Sequence, residues 1–94
     1  MYLQIVTPEA VVFDAEVKSV TVPGIDGEFQ MLDHHAAIVS LLVSGEVKID
    51  VAQKNMDQLK KISKNFREEG KDLFYSIKGG VVEMNNNKAI VLAD

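Results

Sequence analysis

The residues best equipped for chemistry are two adjacent histidines, His34 and His35, with Asp26, Glu28 and Asp33 just ahead of them. Imidazoles beside carboxylates can hold a transition metal, and Ser40 would complete a nucleophilic triad with His35 and Asp33. Neither pattern has the spacing its chemistry needs. Neighbouring side chains on a strand point to opposite faces, so His34 and His35 cannot easily share one ion. No His-x-His or Glu-x-x-His spacing accompanies them, and the acids do not follow the order of a calcium-binding loop. Turn-forming acids on a solvated loop explain Asp26, Glu28 and Asp33 better. No nucleophile elbow surrounds Ser40. Lys78-Gly79-Gly80 lacks both the spacing and the following hydroxyl of a phosphate-binding loop. The expectation is a chain with no catalytic site, no cofactor and no metal.

Composition narrows the alternatives further. The 94 residues suit one domain, 1–94, and the apolar share of 47% is ample for a core. Ten basic against fourteen acidic residues give a net charge of −4, the wrong sign for a phosphate backbone. Only Lys60, Lys61, Lys64 and Arg67 cluster, and Asp57, Glu68 and Glu69 flank them, as on a solvated face. No nucleic-acid partner is expected. Cysteine is absent, which excludes disulfides and thiolate chemistry and fits a reducing compartment. Met1-Tyr2-Leu3-Gln4-Ile5 shows no basic region ahead of an apolar run, so no signal peptide is expected. The apolar stretch from Ala36 to Val43 is far shorter than the ~20 residues that span a bilayer. Any membrane association would come through a partner.

The elements that must position these residues read mostly as strands. Leu3, Ile5 and Thr7 alternate with Gln4 and Val6 until Pro8 breaks the ladder. Val17 to Val22 sets β-branched residues at a spacing of two, and Pro23-Gly24-Ile25-Asp26-Gly27 is a turn. Phe29 and Met31 form a short strand, Ala36–Val43 another, and Val47, Ile49 and Val51 alternate with Lys48 and Asp50. Between Ala52 and Phe66 the period changes. Ala52, Met56, Leu59, Ile62 and Phe66 recur at offsets of three and four, which predicts a short amphipathic helix. The competing reading is an extended hairpin, with Ile62, Lys64 and Phe66 on a strand and Glu68-Glu69-Gly70-Lys71 as its turn. Leu73–Ile77, Val81–Met84 and Ala89–Leu92 return to strand composition, with Gly79-Gly80 as a bend and Asn85-Asn86-Asn87 as a turn. Short strands with turns at such intervals indicate a β-sandwich or barrel.

From Leu3 to Ile49 the order of residues resembles the amino-terminal sandwich domain of ATP synthase epsilon subunits. The resemblance rests on Leu3-Gln4-Ile5-Val6-Thr7-Pro8-Glu9, Phe13, Glu16-Val17-Lys18-Ser19-Val20 and Val22-Pro23-Gly24-Ile25-Asp26-Gly27-Glu28-Phe29. It continues through Met31-Leu32, His35-Ala36 and Gly45-Glu46-Val47-Lys48-Ile49. Gly79-Gly80-Val81-Val82-Glu83-Met84 and Ala89-Ile90-Val91-Leu92-Ala93-Asp94 look like the two closing strands of that family. Three departures stand out. Asp33 and His34 occupy the place where the family has Pro and then Gly or Asn. The region Ala52–Phe66 is longer than the usual hairpin, and the sequence ends at Asp94, where typical members continue into two helices.

The resemblance implies a small two-sheet β-sandwich in the rotor stalk, packed against the gamma subunit and seated on the c-ring. The catalytic alpha and beta subunits would be indirect partners, and the location the cytoplasmic face of a bacterial inner membrane. It places Asp26, Gly27 and Glu28 at the c-ring, and Thr7, His35 and Ser40 toward gamma. Regulatory inhibition and nucleotide binding belong to the family's helical pair and are not expected of these residues. Two other classes compete: a free-standing interaction module that docks through 52–66, and a small hydrolase in which His35 meets a carboxylate in a pocket.

Overall fold

Alternating apolar residues broken by Pro, Gly and Asn fold into nine strands in a computed structural model that describes residues 1–51 and 66–94. They are β1 (Tyr2–Val6), β2 (Val11–Gly24), β3 (Gly27–Leu32), β4 (Ile38–Leu42) and β5 (Gly45–Val51). After the gap come β6 (Phe66–Glu69), β7 (Asp72–Ile77), β8 (Gly80–Asn85) and β9 (Lys88–Ala93). The expected helix falls on residues outside the described ones, apart from its last member. Phe66 is not helical but opens β6, and the hairpin closes tightly at Gly70-Lys71, with Glu69 opposite Asp72.

The long strand β2 organises the sandwich. Its first half pairs with β1, which lies parallel to β9, and the sheet continues through β8 to β4. Its second half pairs with β3 on one edge and β5 on the other, and that sheet continues through β7 to β6. Because β2 serves both sheets, their pairing is continuous. The inward residues of both merge into one core: Leu3, Ile5, Phe13, Val17, Val20, Val22, Met31, Val47, Ile49, Leu73, Val82, Met84 and Val91. Burying each such side chain fully contributes about 1.5–3 kcal/mol. Phe66 seals one margin, with its ring centroid 6.0 Å from Phe13 and 4.9 Å from Tyr75.

The inward residues of β2 change parity along the strand. Ala15 and Val17 belong to one phase, Val20 and Val22 to the other. The pairing shows why: Val17 faces Val51 but Ser19 faces Asp50, so Lys18 is an extra residue in a bulge. A bulge bends and twists its strand and moves the following side chains to the other face. That is how one strand can face inward from both sheets.

Two turns depend on special backbone. Between β8 and β9, Asn86 and Asn87 both have positive φ, 51° and 58°, the left-handed pair that a type I′ hairpin turn requires. Gly80, at the start of β8, has φ of 149°, and a Cβ there would lie 2.1 Å from the Leu92 carbonyl oxygen. Only glycine fits at that position.

Candidate interaction surfaces

Each candidate site residue sits on a turn, loop or exposed strand. Asp26, Gly27 and Glu28 form the exposed β2–β3 turn, where Gly24 pairs with Gly27 and Pro23 with Glu28. Ser40 lies on β4 opposite Val82. Ser40 and Ile38 face the β2–β3 turn across a shallow cleft of about 290 Å³, also lined by Asp26, Glu28 and Phe29. Thr7 lies beyond the end of β1. Its amide donates to the Ala10 carbonyl at 2.9 Å, and its hydroxyl accepts from the Ala10 amide at 3.3 Å, a local clasp around Pro8. It lines a different hollow, with Tyr75, Lys78 and Asp94. Ser40 is thus brought to Glu28, whereas Thr7 is not.

His35 occupies the β3–β4 loop, and that loop is tied down from three directions. The Met1 ammonium pairs with Asp33 and, at 3.3 Å, with Glu16. The His34 amide donates to Asn87 Oδ1 at 2.7 Å, and the His35 amide donates to the Leu32 carbonyl at 3.2 Å. His34 itself adopts φ of 62°. The hydrogen bond to the Met1 ammonium holds the Asp33 carboxyl below its ordinary range, with a further contribution from the Asn87 amide. Reciprocally, Asp33 and then Glu16 raise the Met1 ammonium, against the opposing cost of its burial.

The hydrolase arrangement is not assembled. His35 Nδ1 lies 2.7 Å from the Ala36 carbonyl, the Ser40 hydroxyl donates to the Leu41 carbonyl, and Asp33 is engaged by Met1. These three side chains make no hydrogen bond to one another. Arg67, the described member of the basic cluster, pairs with Glu46 at 3.0 Å and with Glu69, and its guanidinium stacks 4.3 Å from the Phe74 ring centroid. Both carboxylates raise its pKa further.

A larger feature escaped sequence reasoning. On the outer face, directly paired residues run from Leu41 on β4 to Val81, Leu92, Val6 and Val11, crossing β8, β9, β1 and β2. Leu41 is 58% exposed, Leu92 51%, Val11 46%, and neighbouring Val39 70%. The signal was present in Ile38-Val39-Ser40-Leu41-Leu42 and Ala89-Ile90-Val91-Leu92-Ala93, strands that are apolar on both faces. Among the described residues no helix is long and apolar enough to cross a membrane.

Residues 1–66 match the family described as ATP synthase, Delta/Epsilon chain, beta-sandwich domain. The chain is 36% identical over 92 residues to the ATP synthase epsilon chain of Chlorobium limicola, covering 98% of itself and 86% of that protein. It is 36% identical over 94 residues to the epsilon chain of a Sulfurovum species, of which it spans only 61%. Its fold is similar to a chain in the central stalk and c-ring of the Tetrahymena thermophila mitochondrial ATP synthase, with a TM-score of 0.70 at 16% identity. That likeness covers 99% of this chain and 62% of the other. A chain in the Euglena gracilis mitochondrial ATP synthase gives a TM-score of 0.73 at 20% identity, covering 97% of this chain and 48% of that one. On the family match over residues 1–66 and the identity to epsilon chains along nearly its whole length, this chain belongs to the ATP synthase delta/epsilon-chain β-sandwich family.

Proposed function

We propose that this chain is a non-catalytic rotor-stalk subunit of a proton- or ion-translocating F-type ATP synthase, coupling rotation of the gamma subunit to the c-ring. The observation that carries this reading is that this chain aligns over nearly its whole length with epsilon chains of bacterial synthases, which themselves run longer. The bacterial source of those relatives supports a place at the cytoplasmic face of the inner membrane, reached through the complex alone. Asp26, Gly27 and Glu28 meet the c-ring, while Thr7, His35 and Ser40 lie toward gamma. The catalytic alpha and beta subunits are indirect partners, and no nucleic acid is involved.

The physical demands of this role are stiffness and adhesion. Two sheets joined through one shared strand resist shear better than a single layer. The apolar outer row is the kind of surface that marks a protein–protein contact. A standard interface buries on the order of 800 Å² per partner. This chain exposes 5605 Å² in all, so one such contact is a substantial fraction of it.

Glu28→Lys tests the ring contact. The variant is expected to fold normally and to keep gamma on co-purification, but to lose attachment to the c-ring and with it ion-coupled synthesis. Normal retention of the ring by this variant removes Glu28 from the contact, and recovery of an unrelated partner in place of synthase subunits defeats the whole reading.

A further inference from the structure

The His34–His35 loop is held by a residue far away in sequence. Asn87, in the β8–β9 turn, uses its side chain and its backbone at once. Its Oδ1 accepts the His34 amide at 2.7 Å. Its own carbonyl accepts the Tyr2 amide at 3.1 Å, which fixes the turn against the start of β1. Asn suits this position for two reasons: it tolerates the left-handed backbone there, φ 58°, and its amide offers an acceptor and a donor together. Asn86 has nearly the same backbone, φ 51°, yet its side chain makes no hydrogen bond among the described residues. The two neighbours differ in what their side chains reach. Without its bond, the His34 amide would face solvent in a loop already strained by a left-handed non-glycine residue.

We propose that Asn87 is a positioning residue for partner docking: it fixes the shape in which the loop presents His35. The proposal rests on the reading that this loop faces the gamma subunit. The role assigned to Asn87 is indirect. It acts by removing, before the encounter, the conformational freedom that docking would otherwise have to remove.

Asn87→Gly isolates this role, because glycine accepts the left-handed backbone and keeps the carbonyl bonded to Tyr2. Asn86→Gly is the matched control in the same turn. Amide hydrogen exchange is followed in the full chain, and affinity is measured for the purified gamma subunit. In Asn87→Gly the His34 amide is expected to exchange about tenfold faster, the effect of losing one hydrogen bond of ordinary strength. The Tyr2 amide keeps its protection, and gamma binding weakens by about three- to tenfold. Asn86→Gly changes neither. Unchanged His34 exchange in Asn87→Gly overturns the proposal, as does an equal rise in Asn86→Gly. Faster exchange with unaltered gamma affinity also overturns it, provided His35→Glu weakens binding. A His35→Glu variant that binds gamma like the parent overturns the docking reading, and the proposal with it.

Discussion

Gly80→Ala probes the point where the sandwich is tightest. The added Cβ would sit 2.1 Å from the Leu92 carbonyl oxygen and 3.1 Å from both the Leu92 carbonyl carbon and Ala93 Cα. All three are backbone atoms of β9, so no side chain can swing aside. Relief requires β8 and β9 to part where Gly80 pairs with Ala93, while Gly80 is also held by Leu42 on β4. The positive φ of 149° costs about 1–3 kcal/mol for any residue with a Cβ. Overpacking against rigid backbone adds about 1–3 kcal/mol. The total, about 2–6 kcal/mol, is a large share of the 5–15 kcal/mol that holds a typical domain together. Gly27→Ala is the natural comparison: its φ is 121°, but nothing lies within 4 Å of the added Cβ. It should lose only the backbone part, about 1–3 kcal/mol. At about 4–8 °C per kcal/mol, thermal melts followed by circular dichroism resolve the two, and urea titration checks the ranking. A Gly80→Ala protein no less stable than Gly27→Ala would refute the steric argument.

The Met1–Asp33 pair predicts a stability plateau with two flanks. Asp33 has a lowered folded pKa, so its contribution is present above the ordinary carboxylate range and is lost as pH falls through the folded value. The raised Met1 ammonium contributes fully below its ordinary value and loses that contribution as pH rises through the folded one. Asp33→Asn should flatten both flanks in melting temperature against pH; a curve identical to the parent's means the pair is unimportant in solution. Leu92→Asp places a charge in the outer apolar row without touching the core. Its melting temperature should change little, while its recovery in the assembled synthase falls at least severalfold; normal recovery would show that the row stays uncovered in the complex.

Local pattern sufficed for most strands and for most turns that Pro, Gly or Asn marks, the turn at Gly70 having belonged only to the competing hairpin reading. What it missed has a common physical origin in long-range pairing. Val17 and Val20 are separated by three residues, and a strict period of two cannot accommodate both. Only the partner strand β5 reveals the Lys18 bulge that reconciles them. Phe66 fits the end of a helical stripe equally well, but it stands on extended backbone, where its ring meets Phe13 and Tyr75. At the site, the turn character of Asp26-Gly27-Glu28 was visible at once. That Ser40 faces this turn rather than Thr7 depends on the Gly24–Leu42 bridge between β2 and β4. The role of Asn87 toward His34 spans 53 positions and leaves no local trace.

The distribution of bonded and exposed groups fits the proposed role, in which surfaces carry the function. Among the described residues no buried side-chain polar atom lacks a partner. The clefts are shallow, and the residues that could have formed a triad are bonded elsewhere. The outer apolar row is the continuous part of what remains exposed at a cost, beside the separate Ile25, Leu32 and Val43. Covering a patch of a few hundred Å² returns roughly 5–10 kcal/mol at about 25 cal/mol per Å². Loss of translational and rotational freedom on association costs about 4–15 kcal/mol, so the row alone leaves little surplus. On the proposed reading, a durable attachment would draw on the row together with loops already held in shape, such as the one that Asn87 and Asp33 fasten. The positive-φ turn at Asn86-Asn87 and the bond it sends to His34 belong to the same economy: rigidity established during folding is rigidity that docking need not supply.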